Sequence, residues 1–99
     1  MPMMNEDFMS SVKSMESQVM EEVTGAQEYM ACADHWRTSS PSISAHYTEM
    51  AKQELEHAKK LNDMLPIIKG SDVFTDEQTT IVKFLMDMNM DQIRKVASK

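Results

Sequence analysis

Three residues in a chain of 99 have the types and the spacing to hold a divalent metal: Glu22, Glu54 and His57. Glu54-Leu55-Glu56-His57 sets a carboxylate and an imidazole three positions apart, which puts both on one face of a helix. Glu22 brings a second carboxylate from an earlier segment. Carboxylate oxygen and imidazole nitrogen suit iron or manganese, with zinc as a substitute, whereas a structural zinc site more often uses cysteine. The single cysteine, Cys32, offers no such set. Because a lone Glu-x-x-His is common on helices, its meaning depends on the elements that carry it.

Those elements read as helices throughout. Two Gly and three Pro in the whole chain argue against a turn-rich β fold, and Met, Glu, Lys, Ala and Gln favour helix. The predicted fold is all-α and a single domain over residues 1–99. An antiparallel two-helix hairpin is followed by a third helix, with helices at about 6–36, 41–65 and 75–97. Apolar residues at Phe8, Val12, Met15, Val19, Ala26, Tyr29, Ala33 and Trp36 step by fours and threes, a heptad stripe with one gap. Asn5 is placed to cap this helix, with Glu6 and Asp7 opposing its dipole. Pro41 reads as the first residue of the second helix and Ser40 as its cap. The second stripe runs Ile43, Tyr47, Met50, Leu61 and Met64, and Pro66 ends it. Thr75-Asp76-Glu77-Gln78 is a capping box, followed by an apolar face of Ile81, Phe84, Leu85, Met88, Ile93 and Val96.

The gaps in the stripes fall on the candidate ligands. Continuing the rhythm puts Glu22 in the first gap and Glu54 and His57 in the second, so three polar groups are predicted on inward faces, where charges are seldom left unpaired. Their heights agree. Glu22 lies about 21 Å before Trp36, and Glu54 and His57 lie about 17 and 21 Å beyond Ile43, at ~1.5 Å per residue from the two sides of the turn. A second helix rotated from this register would instead leave Glu54 and His57 as a solvated pair.

Composition narrows the function classes. A net charge of −6 denies a phosphate backbone its basic footprint, so no nucleic-acid partner is expected. Residues 1–36 hold seven acids and one base, against nine of each in residues 37–99. No apolar run approaches a membrane span, and the first seven residues are acidic where a leader would be basic and then apolar, so a cytoplasmic protein is expected. A core this small is marginal alone, so a homo-oligomer, a dimer or larger ring, is expected too.

Glu22-x6-Tyr29 and Glu54-x-x-His57 on adjacent antiparallel helices resemble half of the metal site of the ferritin-like superfamily, closest to the short encapsulated ferritins and rubrerythrin-type half-site proteins. Full-length members take one Glu from each of two helices and Glu-x-x-His from each of two more. The third helix here, with Asp87-Met88-Asn89-Met90-Asp91, has no second Glu-x-x-His. The resemblance therefore implies a four-helix bundle completed by dimerisation. It makes Glu22, Glu54 and His57 both ligands and catalytic residues, with Tyr29 beside them, and puts two iron ions at each dimer interface. Four carboxylates at −4 would then balance two Fe²⁺ at +4. The implied function is a ferroxidase that oxidises Fe(II) with O₂ for storage or detoxification, with an encapsulin-type shell as a partner and a protein nanocompartment as its location. The alternatives are a rubrerythrin-like peroxidase, and a non-enzymatic helical oligomer or adaptor with a structural metal site.

Other polar residues have plainer readings. Glu21, Glu28, Glu49 and Glu56 fall off the stripes and read as solvated, with a further ion at Glu28 or Glu56 as the alternative. His35 and His46 read as surface residues near the turn. Tyr29 reads from its spacing as core packing. The twelve methionines read as flexible core and interface filler. Gly25 costs a helix ~1 kcal/mol relative to Ala, so a close crossing beside the site is expected there.

Overall fold

A computed structural model describes residues 5–70 and 72–99. Three helices form the chain, α1 (Asn5–Trp36), α2 (Pro41–Asn62) and α3 (Asp76–Ala97), with a 3₁₀ turn at Leu65–Ile67. The all-α expectation holds, and the helix bounds fall close to those predicted. The helix of α2 stops at Asn62, earlier than expected, and its continuation tightens into the 3₁₀ turn at Leu65-Pro66-Ile67. Residues 1–4 and the capping side chain of Asn5 lie outside the described residues.

The ends of α2 and α3 are set by the residues the sequence marked. Ser40 Oγ accepts from the Ile43 amide, and Pro41 occupies the first turn. At α3, Thr75 Oγ1 accepts from the Gln78 amide at 3.1 Å while Gln78 Oε1 accepts from the Thr75 amide at 3.0 Å. Gly70 turns the preceding linker at φ 64°, a region that favours glycine. Lys69 Nζ then bridges Val73 O and Gln78 Oε1 at 2.7 and 2.8 Å, and lies 5.5 Å over the Phe74 ring.

Packing of α1 on α2 dominates the fold. Its seam is rich in small residues: Ala26 on α1 clusters with Ala51 and Ala58 on α2, buried with Val19, Val23 and Leu55, and the buried Ala33 lies nearer the turn, where its carbonyl accepts from Ser44 Oγ at 2.6 Å. Here the predicted stripe of α2 requires correction by one position. The buried series is Ala51, Leu55, Ala58, Asn62 and then Leu65, while Ile43, Met50 and Met64 are exposed. Reading bulky apolar residues as core passed over the alanines, which admit the partner backbone most closely. His57 and Glu54 therefore ride the edge of the seam and do not point into it. A similar correction applies to α3, where Phe84 is 65% exposed and Met88 is also exposed; Val82, Ile93 and Val96 form its buried face together with Gln78 and Asn89.

Helix α3 runs parallel to α1. Val82 packs with Phe8, Val12 and Leu65, and Ile93 and Val96 pack with Val19, Val23, Ala26, Leu55 and Ala58. Between these clusters lies a polar tie joining all three helices. Asn89 Nδ2 donates to Asn62 Oδ1 at 2.9 Å and to the Glu16 carboxylate, and Asn62 Nδ2 donates to Met86 O at 3.2 Å. Both asparagines are fully buried, and Asn89 Oδ1 has no partner among the described residues. Asn89→Ala strands Asn62 Oδ1 and opens a cavity, so it is expected to cost about 2 kcal/mol in urea unfolding. Unchanged stability would show that the tie contributes nothing.

Candidate metal centre

Glu16 and Asn62, which meet α3, lie roughly 120° and 140° round their helices from Glu22 and His57 at 3.6 residues per turn. The candidate ligands thus occupy the flank of the hairpin that α3 leaves uncovered. On that flank one donor atom from each of Glu22, Glu54 and His57 lies within 4.8 Å of the others. His57 Nδ1 stands 3.7 Å from Glu22 Oε2. No other group of His, Cys, Asp and Glu gathers in this way among the described residues. The expected meeting of the three residues at one level is thus realised, although α2 is turned by one position from the predicted register.

Burial grades across the cluster. Glu54 is half-buried against α1, the Glu22 side chain is 27% exposed and the His57 side chain 54% exposed. From the edge of the seam the Glu54 carboxylate lies against the α1 backbone because Gly25 makes room. A Cβ at that position would stand 3.0 Å from Glu54 Oε2, so the expected close approach beside the site is one of a carboxylate to a helix backbone. Glu22 and His57 line a cleft of about 300 Å³ with Gln18, Glu21, Lys60 and Leu61.

The two carboxylates press on each other. A hydrogen bond shared with Glu22 holds the Glu54 carboxyl above the usual range; burial and the Glu22 charge act in the same direction, and His57 partly opposes them. Two carboxylates sharing a proton are a ready cation site, because a divalent ion can replace the proton and satisfy both. The residues fit a metal by donor type, by convergence and by the space at Gly25.

The sequence model of the family described as Rubrerythrin matches residues 13–96, a span that includes all three ligand candidates. The chain belongs to the rubrerythrin family. That membership places it among the ferritin-like proteins, as the resemblance of its motifs implied. No curated protein and no solved structure gives a match. Rubrerythrins typically bind iron, and this one presents a Glu, Glu, His grouping of the kind that would do so. No helix among the described residues is long and apolar enough to cross a membrane.

Tyr29 packs against the hairpin core in this rubrerythrin, as its spacing predicted, and its ring meets Tyr47 of α2. Glu21, Glu28, Glu49, Glu56, His35 and His46 are exposed, as expected. Sequence reasoning missed Tyr47 as the neighbour of Tyr29, and it missed the Glu16, Asn62 and Asn89 tie, since isolated polar residues on three helices share no periodic signal.

Two predictions arise here. Gly25→Ala removes a helix-weakening glycine, so the apo protein should gain up to about 1 kcal/mol. The added methyl displaces the Glu54 carboxylate, so metal affinity should fall about tenfold, or ~1.4 kcal/mol. Calorimetric titration and thermal melts check both halves, and an unchanged affinity would mean that Glu54 does not need that space. The second concerns pH. Because the folded pKa of Glu54 is raised above its unfolded value, the folded state binds more protons within that window. Apo stability should therefore fall as pH rises through the window and level off above it. Melting curves of apo wild type and Glu54→Gln across acid pH should diverge there, and metal affinity should fall as pH drops through the same range.

Proposed function

We propose that this rubrerythrin is a ferroxidase whose dinuclear iron site forms when two copies bring their uncovered flanks together. The observation that carries this reading is the open half-site: two carboxylates and one imidazole converge beside a cleft that, among the described residues, α1 and α2 line. Two such halves related by a twofold axis supply four Glu and two His, and their charge of −4 matches two Fe²⁺. Iron is the substrate and supplies the electrons for O₂ reduction. Glu22 and Glu54 bind the ions and neutralise their charge, and Glu54 gives up the proton it shares with Glu22 as iron enters. His57, the most exposed of the three, is the ligand nearest an approaching partner. Glu21 and Lys60 at the mouth of the cleft set the charge met by the incoming ion.

The test is to load the protein with Fe²⁺ without oxygen and then follow ferric absorbance after adding O₂ or peroxide. Ferric formation with O₂ well above the rate for free Fe²⁺ supports the reading. Oxidation by peroxide alone would make the protein a peroxidase, and binding without oxidation by either would leave the metal as a structural clip.

A further inference from the structure

Helix α3 carries a second apolar stripe that its own chain does not bury. Its buried face is Gln78, Val82, Asn89, Ile93 and Val96. Phe84 lies about 200° round the helix from Val82, so it points away from the hairpin and from the flank that carries the ligands. Glu77, Ile81, Phe84, Met88, Asp91 and Lys95 follow one another in alternating steps of four and three, the spacing of a line that faces a second helix. Along that line Phe84 and Met88 are exposed and Ile81 is half-buried. One exposed apolar residue is ordinary, but these lie in register and form a continuous patch with the half-buried Leu85 beside them. The two ends of the helix are charged with opposite sign, Asp76 and Glu77 in the first turn and Arg94 and Lys95 in the last. Both acids, with Thr80 and Ile81, line a shallow depression of about 430 Å³. At the other end Lys95 Nζ stands 3.4 Å from Asp91 and neutralises the one acid in that half of the line.

We propose that this face of α3 docks on the same face of α3 in a second copy of the chain, with the two helices antiparallel. Charge decides the direction. Glu77 precedes Phe84 by seven residues and Lys95 follows Met88 by seven, so setting each Phe84 against the partner's Met88 brings each Glu77 to the partner's Lys95. The acid-lined depression receives that ammonium, and the stem of the partner's Lys95 lies over Ile81. Apolar pairs then occupy the centre and ion pairs the rim, as in specific interfaces generally. The helix dipoles are opposed as well, whereas a parallel pair would set acids on acids, bases on bases and like dipole ends together. A single helix from each copy, about 33 Å long and touching along one stripe, offers less than the ~1,600 Å² of a standard interface. The contact is therefore weak and forms at high protein concentration. It shares no residue with the metal flank and needs no metal, so it stands or falls apart from the ferroxidase reading.

Glu77 and Lys95 stand eighteen residues apart on one helix, about 27 Å, so a direct bond between their side chains can form only between copies. Protein kept metal-free with chelator, at high micromolar concentration, is treated with a carbodiimide, which joins a carboxylate to an amine without a spacer. Peptide mass spectrometry then reads which residues are joined, with the link from Asp91 to Lys95 inside each chain as the control. Sedimentation velocity follows association of wild type, Phe84→Glu, Lys95→Glu and the Glu77→Lys/Lys95→Glu double variant. The expected result is a Glu77 to Lys95 link in the covalent dimers of wild type. Phe84→Glu should remove the link and weaken association at least about tenfold, as a lost central anchor does. Lys95→Glu should weaken association several-fold, and exchanging both charges should restore it. Phe84 and Lys95 are exposed, so helix content by circular dichroism should stay the same in all four proteins; should Phe84→Glu misfold, the link in wild type and the charge exchange still decide. A wild-type chain that remains monomeric, covalent dimers without that link, or association unchanged by Phe84→Glu in a folded variant overturns the proposal, and the first of these is the outcome if a different protein covers this face.

Discussion

Glu54→Ala and His57→Ala should each abolish binding of the iron pair while leaving helix content unchanged. Replacing a residue that merely supports a ligand commonly weakens a metal site ten- to a hundredfold, so loss of a ligand should exceed about a hundredfold. The fold should tolerate both changes, because neither residue belongs to the buried seam of α2 and alanine is the best helix former. For Glu54→Ala the apo protein should even gain stability. The variant removes the carboxylate that faces Glu22, whose proximity holds the Glu54 carboxyl above the usual range. Opposite signs for metal affinity and apo stability are a stringent pattern, since a residue serving only the fold would lower both. Metal analysis after dialysis, with circular dichroism and urea melts, reads the two quantities separately. Full metal content in either variant would refute its place in the site.

Metal should also drive assembly. In the proposed arrangement each chain presents half a ligand set, and bringing two halves together without cations sets four carboxylates at one interface. Some must then take up protons or the chains must part. Divalent ions remove that repulsion. Because the proposed full site is shared by two chains, binding favours the dimer by RT ln(1 + [L]/Kd), about 2.7 kcal/mol at a metal concentration a hundredfold above Kd. The apo protein should hold more monomer at micromolar concentration, and Fe²⁺ or a redox-silent divalent ion should shift it to dimers or larger rings. Light scattering after size exclusion, with and without chelator, measures this. Equal masses down to nanomolar concentration would mean that exposed apolar residues such as Met50 and Met64, and not the metal, hold the chains together.

Much of this was legible in the residues themselves. Ser40-Pro41 and Thr75 to Gln78 mark helix starts by local chemistry that survives any tertiary context. The level of Glu22 with Glu54 and His57 follows from counting residues on both sides of one short turn. The rotation of α2 was not legible, because a stripe read from bulky residues treats alanine as neutral, whereas in the hairpin Ala51 and Ala58 are buried in the core. The exposure of Phe84 and the buried pair Asn62 and Asn89 were hidden for a related reason. Which face of α3 turns inward is decided by three-way hydrogen bonding to Glu16 and Asn62, a long-range fact with no counterpart in α3's own pattern.

The alanine seam acts as a spacer for the ligands. With methyl groups at Ala26, Ala33, Ala51 and Ala58 between them, the helix axes stand close enough for side chains on the rim to reach across and share one ion, and bulkier residues would widen the bite. Because the donors are on the rim and the spacer is within, the two can change independently. A rim residue can be exchanged for another donor without leaving a hole in the interior. A single methylene added to the seam would retune every donor distance at once without touching a ligand.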